Sequence, residues 1–248
     1  MKAKPALIFL TVIGLFLCSC EKGQAITEEP EIPQEPQTPQ EPTIDTIHYL
    51  ALGDSYTIGH SVSYRSRFPV QLVEQLRASF SDSLYFPEPD IVARTGWTTG
   101  NLLSAISNND TLRSNYQLVS LLIGVNNQYQ RQDFGIYEAQ FPELLSRAIS
   151  LAGGDSSRVI VLSIPDYAFT PFGQSRPNPS LISEELDHYN AYNRQIAESR
   201  GVAYFDITPV SRKGLEQPAL VATDGLHPSG LMYAQWVELL KEYVRRVL

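Results

Sequence analysis

Five short apolar runs, each followed by a segment of helical period, constrain this chain more than any other feature. The runs are IHYLALG (47–53), DIVARTG (90–96), YQLVSLLIGVNN (116–127), RVIVLSIPD (158–166) and VAYFDI (202–207). Several are apolar on both faces, as a strand must be when covered above and below. Between and after them come FPVQLVEQLRASF (68–80), TTGNLLSAIS (98–107), YEAQFPELLSRAISLA (137–152), LISEELDHYNAYNRQIAESR (181–200) and SGLMYAQWVELLKEYVRRVL (229–248). In the first of these Phe68, Leu72, Leu76 and Phe80 lie on one helical face, and Pro69 suits a first turn. Strand alternating with helix predicts one three-layer α/β/α domain over residues 47–248, built on a five-stranded parallel sheet. No internal repeat is present. A chain that is 43% hydrophobic has enough apolar residues for such a core.

In open parallel sheets ligands sit beyond the carboxyl ends of the strands. Polar residues there deserve the closest reading. Gly53-Asp54-Ser55 follows the first run, Arg94-Thr95-Gly96-Trp97 ends the second, and Gly124-Val125-Asn126-Asn127 ends the third. TDGLHPSG, with Asp224 and His227 three apart, precedes the last helix. Together these supply the parts of acyl transfer. Ser55 is a nucleophile once a base takes its proton, and His227 is an imidazole able to do so near neutral pH. Asp224 is placed to fix the His227 tautomer. The Ser55 and Gly96 backbone N–H groups and the Asn126 amide are candidate oxyanion donors. Gly96 has no side chain to keep a substrate from its backbone. The plainer role for Ser55 is a helix cap, and for Asn126 a turn residue.

The order Gly-Asp-Ser, Gly, Gly-x-Asn, Asp-x-x-His resembles the SGNH (GDSL) hydrolase family of serine esterases and lipases. Its four letters fall on Ser55, Gly96, Asn126 and His227, and the resemblance runs through nearly all of residues 47–248. It implies a flavodoxin-like sheet, catalysis by Ser55, His227 and Asp224, and no metal or organic cofactor. Two positions depart from the family pattern: Tyr56 stands where leucine is usual, and Asn127 where aspartate often follows the asparagine. The Gly-x-Ser-x-Gly elbow of α/β-hydrolases is absent from the sequence. The implied activity is hydrolysis of carboxylic esters, of short acyl or acetyl groups on carbohydrate, or alternatively of lysophospholipid-type lipids. A non-catalytic carbohydrate-binding protein using the same cleft is the rival from another class. Among secondary candidates, His60 follows the nucleophile loop and is placed to line the site, while His188 reads as a solvated helix face. Tyr167, Phe169 and Phe172, after the fourth run, either shape a substrate pocket or pack beneath their loop.

The N-terminus reads as an address. MKAKPALIFLTVIGLFLCSC has a basic start and an apolar stretch of about 12 residues, short of the ~20 needed to span a bilayer. Its Leu-Cys-Ser-Cys ending resembles a bacterial lipobox. That resemblance implies cleavage after residue 19, lipidation of Cys20, and anchoring at the bacterial cell envelope, periplasmic or surface-exposed. Residues 20–46 read as a solvated tether, with Pro30, Pro33, Pro36, Pro39 and Pro42 at every third position among Glu, Gln and Thr. Cys18 and Cys20 are the only cysteines, so residues 47–248 hold neither a disulfide nor a thiolate metal site. The formal charge is −8 overall and −4 over residues 47–248, with no basic cluster, which argues against nucleic acid as a partner.

Overall fold

The structure, a computed structural model, describes residues 44–80 and 83–248. The expected signal segment, Cys20 and all but the last three residues of the expected tether lie outside the described residues. Of those three, Asp45–Thr46 form a short strand, β1, parallel to β3 (Leu84–Tyr85). The main sheet contains β2 (Tyr49–Gly53), β4 (Asp90–Ala93), β5 (Leu118–Leu122), β6 (Val159–Leu162) and β7 (Ala203–Phe205), in the order β4-β2-β5-β6-β7 and parallel throughout. Every residue of β2, β5 and β6 is buried, whereas the edge strands β4 and β7 are mostly half-buried. This is the flavodoxin-like order, and the predicted three-layer architecture is what the chain adopts.

Among the described residues the five long helices are α2 (Phe68–Ser79), α3 (Thr99–Ser107), α5 (Phe134–Leu151), α7 (Pro179–Ser199) and α9 (Gly230–Val247). Helices α2 and α9 pack together, and α3, α5 and α7 pack in series. The two groups cover opposite faces, as right-handed crossovers from β2 outward in both directions require. Trp236 of α9 is fully buried, with its ring 6.0 Å from Phe68 of α2 and 4.9 Å from Tyr233. Four short helices punctuate the loops: α1 (Ser55–Ile58), α4 (Val125–Tyr129), α6 (Pro171–Gln174) and α8 (Thr208–Ser211). Among the described residues no helix is long and apolar enough to cross a membrane.

Helix α5 begins three residues before the sequence pattern places it and continues through Pro142. Proline has no N–H to give the Glu138 carbonyl one turn back, a defect worth about 3 kcal/mol in an isolated helix. The Tyr192 hydroxyl of α7 donates to that carbonyl at 2.8 Å, so the orphaned acceptor is satisfied from the neighbouring helix.

The sheet order places a topological switch point between β2 and β5, whose chain continuations leave toward opposite faces. Gly53 lies in register with Ala93 on one side and Leu122 on the other. The segments beginning at Asp54, Arg94 and Ile123 therefore leave the sheet side by side.

Candidate active site

The nucleophile candidate is held by a turn that permits no side chain at its first residue. A Cβ on Gly53 would collide with Thr57 Oγ1 and the Leu122 carbonyl, so glycine lets α1 sit directly on the sheet end. Asp54 caps α1, its carboxylate accepting from Tyr56 N at 3.0 Å. Asp54 is fully buried, its second carboxylate oxygen has no partner among the described residues, and burial pushes the carboxyl up to about 7. Ser55 is the first residue of α1 and 5% exposed. Its carbonyl accepts from the N–H groups of Gly59 and His60, which folds the chain back over the site.

The loop before α9 brings the candidate base and acid together. His227 Nδ1 lies 2.6 Å from Asp224 Oδ2, and Asp224 Oδ1 accepts from the backbone N–H groups of Leu226 and His227, each at 3.0 Å. One carboxylate thus shapes the loop and orients the ring. With Nδ1 as the donor, Nε2 is left free to accept a proton. The Ser61 hydroxyl adds a third bond, donating to Asp224 Oδ2 at 2.6 Å. Partial burial opposes the Asp224 charge, but the bonds from Ser61, Leu226 and His227 outweigh it and hold the carboxyl well below the usual range. Burial lowers the His227 imidazole below its ordinary value, against the pull of Asp224, and neighbouring His60 lowers it further. His227 is therefore neutral at neutral pH, as a general base must be.

The nucleophile loop and the His227 loop face one another. The Tyr56 ring meets His227 edge-on at 5.9 Å, and the His60 ring lies 4.6 Å from that of His227. His60 Nδ1 is 3.0 Å from Thr95 Oγ1, which ties this corner to the Gly96 segment. His60 accordingly lines the site. Among the described residues the Ser55 hydroxyl forms no hydrogen bond to His227, an arrangement common in enzymes without substrate.

Gly96 has φ +85°, a conformation that glycine adopts without strain, and the space where its Cβ would stand is open. The Asn126 amide donates one N–H to the Trp97 carbonyl at 3.0 Å and has a second to offer. Gln130, one turn on, donates to the Gly96 carbonyl at 3.0 Å. Two side chains of the α4 segment therefore clamp the 96–97 turn in place. Asn127 is fully buried and bonds Thr99 N (3.1 Å), Thr99 Oγ1 (2.7 Å) and Gln132 Oε1 (3.0 Å). It joins α4 to the start of α3 and so acts in support of Asn126.

Sequence reading missed Ser61 and Gln130. Ser61 reaches Asp224 across 163 positions of sequence, and nothing local to either residue signals the contact. His60, Asp224 and His227 also bring three potential metal donors within 4.8 Å of one another, although each already has a hydrogen-bond partner.

The model of the GDSL-like lipase/acylhydrolase family matches residues 51–235. No protein with a curated description matches the chain. Among solved structures, an α/β hydrolase enzyme, LAE5, from the metagenome of Lake Arreo, Spain, is similar at TM-score 0.57 and 19% identity, covering 83% of this chain and 98% of its own. The acetylxylan esterase Axe2 from Geobacillus stearothermophilus is similar at TM-score 0.54 and 20% identity, covering 81% and 95%. A lipase/acylhydrolase from Enterococcus faecalis gives TM-score 0.57 at 20% identity, covering 82% and 95%. At these identities the likeness is one of fold.

Proposed function

Since the chain belongs to the GDSL-like lipase/acylhydrolase family and is a carboxylic ester hydrolase, we propose that it works through a Ser55–His227–Asp224 triad. The observation that carries this reading is the 2.6 Å His227–Asp224 bond beside the Ser55 turn. In the proposed reaction Ser55 Oγ attacks the ester carbonyl while His227 Nε2 takes its proton. The tetrahedral oxyanion is held by the Ser55 and Gly96 N–H groups and the Asn126 amide. His227 then protonates the departing alcohol, leaving an acyl-serine. A water molecule, deprotonated by His227, attacks that ester, and the acid leaves as Ser55 recovers its proton. Asp224 holds the tautomer and stabilises the imidazolium throughout.

The proposed substrates are short acyl or acetyl esters on carbohydrate. The similar Geobacillus protein is an acetylxylan esterase, and the similar Enterococcus protein, a lipase/acylhydrolase, keeps lipid esters as the competing class. A panel of acetylated oligosaccharide, p-nitrophenyl esters of increasing chain length and lysophosphatidylcholine separates the two. Preference for acetyl over octanoyl groups with release of acetate from oligosaccharide is expected. Activity on lysophosphatidylcholine alone would overturn the substrate assignment. Envelope anchoring through Cys20 is also proposed, on the sequence of residues 1–20. Palmitate labelling lost in Cys20→Ser is the expected outcome.

A further inference from the structure

A cleft of about 940 Å³ opens between α4, the loop after β6 and the first turns of α7. It is at the large end of the range for ligand sites. None of Ser55, Gly96, Asn126, Asp224 or His227 lines it, but Asn126 and Tyr129 are three residues apart on α4, a rise of about 5 Å. We infer that this cleft binds a neutral oligosaccharide, holding sugar units next to the one whose ester meets Ser55. The inference rests on the triad reading for that second clause only.

Its floor is fixed. Tyr167 OH donates to Gln128 Oε1 at 2.9 Å, and Gln128 Nε2 donates to Glu185 Oε2 at 2.6 Å. Its walls carry aromatic faces. Tyr129 is 46% exposed, although its ring also meets those of Tyr167 and Phe172 at 6.1 Å. On α7, the His188 ring lies 4.1 Å from that of Phe134, tilted at 44°. Arg176 lies over the Phe172 ring at 4.2 Å and over Tyr129 at 5.9 Å, and its Nε is buried without a hydrogen-bond partner among the described residues. Arg131 holds a left-handed backbone, φ +54°, rare for a side-chain-bearing residue outside special sites.

These features fit a pyranose chain. A sugar ring has an apolar C–H face that lies against an aromatic ring and an edge of hydroxyls that both donate and accept. The cleft offers two guanidinium donors (Arg131, Arg176) and two carboxylate acceptors (Glu184, Glu185), none of them in an ion pair among the described residues. The signs balance, so the site as a whole favours neither an anion nor a cation. An alkyl chain would strip water from these groups and return no hydrogen bonds.

The test uses Ser55→Ala protein, which cannot turn over, titrated with β-1,4-linked hexasaccharides of xylose and of glucose and followed by amide NMR shifts. Shifts centred on Tyr129 and His188 are expected, with affinity about tenfold weaker after adding either Tyr129→Ala or His188→Ala. The two substitutions lie on different helices, so a local defect in one does not decide the matter. In the Ser55 protein, either substitution should lower kcat/KM for acetylated xylohexaose, relative to that for p-nitrophenyl acetate, about tenfold through KM. No shift with either hexasaccharide, an unchanged ratio in both variants, or shifts at these residues with lysophosphatidylcholine alone would overturn the inference. Hexasaccharide binding by a protein that hydrolyses no ester would support the cleft and defeat the triad reading.

Discussion

Replacing Asp54 with Asn should make the protein's stability less dependent on pH. Asp54 caps α1 through one carboxylate oxygen, while the other is buried without a partner among the described residues. Burial raises its carboxyl from an ordinary value of 3.8 to about 7 in the folded protein. A group raised on folding contributes stability that is fully present below its unfolded value and is lost as pH rises through its folded value. Three units at 1.36 kcal/mol each make the loss about 4 kcal/mol between pH 4 and pH 8. Asn keeps the capping acceptor and carries no charge. It also places an unpaired N–H₂ where the second oxygen stood, costing about 1–3 kcal/mol at any pH. Asp54→Asn should therefore be less stable than the parent near pH 4 and equal or more stable near pH 8. Urea unfolding followed by circular dichroism at half-unit steps gives the difference directly. A difference between the two proteins that stays constant from pH 4 to pH 8 would refute the reasoning and mean that Asp54 is ionised in the folded state throughout.

The site makes further predictions. Asn126→Ala should lower kcat by about 10²–10³ with the fold intact by circular dichroism, as loss of one oxyanion donor does. Asp224→Asn should lower kcat about 10⁴-fold on p-nitrophenyl acetate, through loss of the His227 tautomer. The acid limb of the kcat/KM profile should fall at a pKa below the ordinary histidine value of 6.5, because burial favours neutral His227 and activity is lost as pH drops through its titration. Ser61→Ala should cost about tenfold in kcat/KM at most, since it removes one of several bonds to a carboxylate that keeps its backbone donors.

Much of the fold was legible because its strands are buried on both faces. β5 is buried throughout, and its one polar residue, Ser120, is paired inside the core with the Tyr49 hydroxyl at 2.7 Å. Helices α2 and α9 were equally plain, as each presents one apolar stripe to the other. Helix α5 was less so: Gly135, a poor helix former, stands in its first turn, and the carbonyl orphaned by Pro142 is satisfied by Tyr192, 50 residues from that proline. The candidate site was legible to the extent that its residues stand at strand ends or share one short loop. Asp224 and His227 lie three apart, and their bond follows from that spacing. His60 could be placed only near the site, because its contact with Thr95 depends on how β2 and β4 align. Of the cleft beyond α4 only Tyr167 was legible as a pocket candidate, since its walls come from three separated segments and its aromatic residues also fit ordinary packing.

The central claim is that Ser55 is the nucleophile. Treatment with a fluorophosphonate, followed by peptide mass mapping, tests it most directly. The account predicts one phosphonate adduct, on Ser55, formed with loss of fluoride and absent from a folded His227→Ala protein. An active enzyme that carries its adduct on another residue, or that hydrolyses p-nitrophenyl acetate at the parental rate as Ser55→Ala, would contradict it.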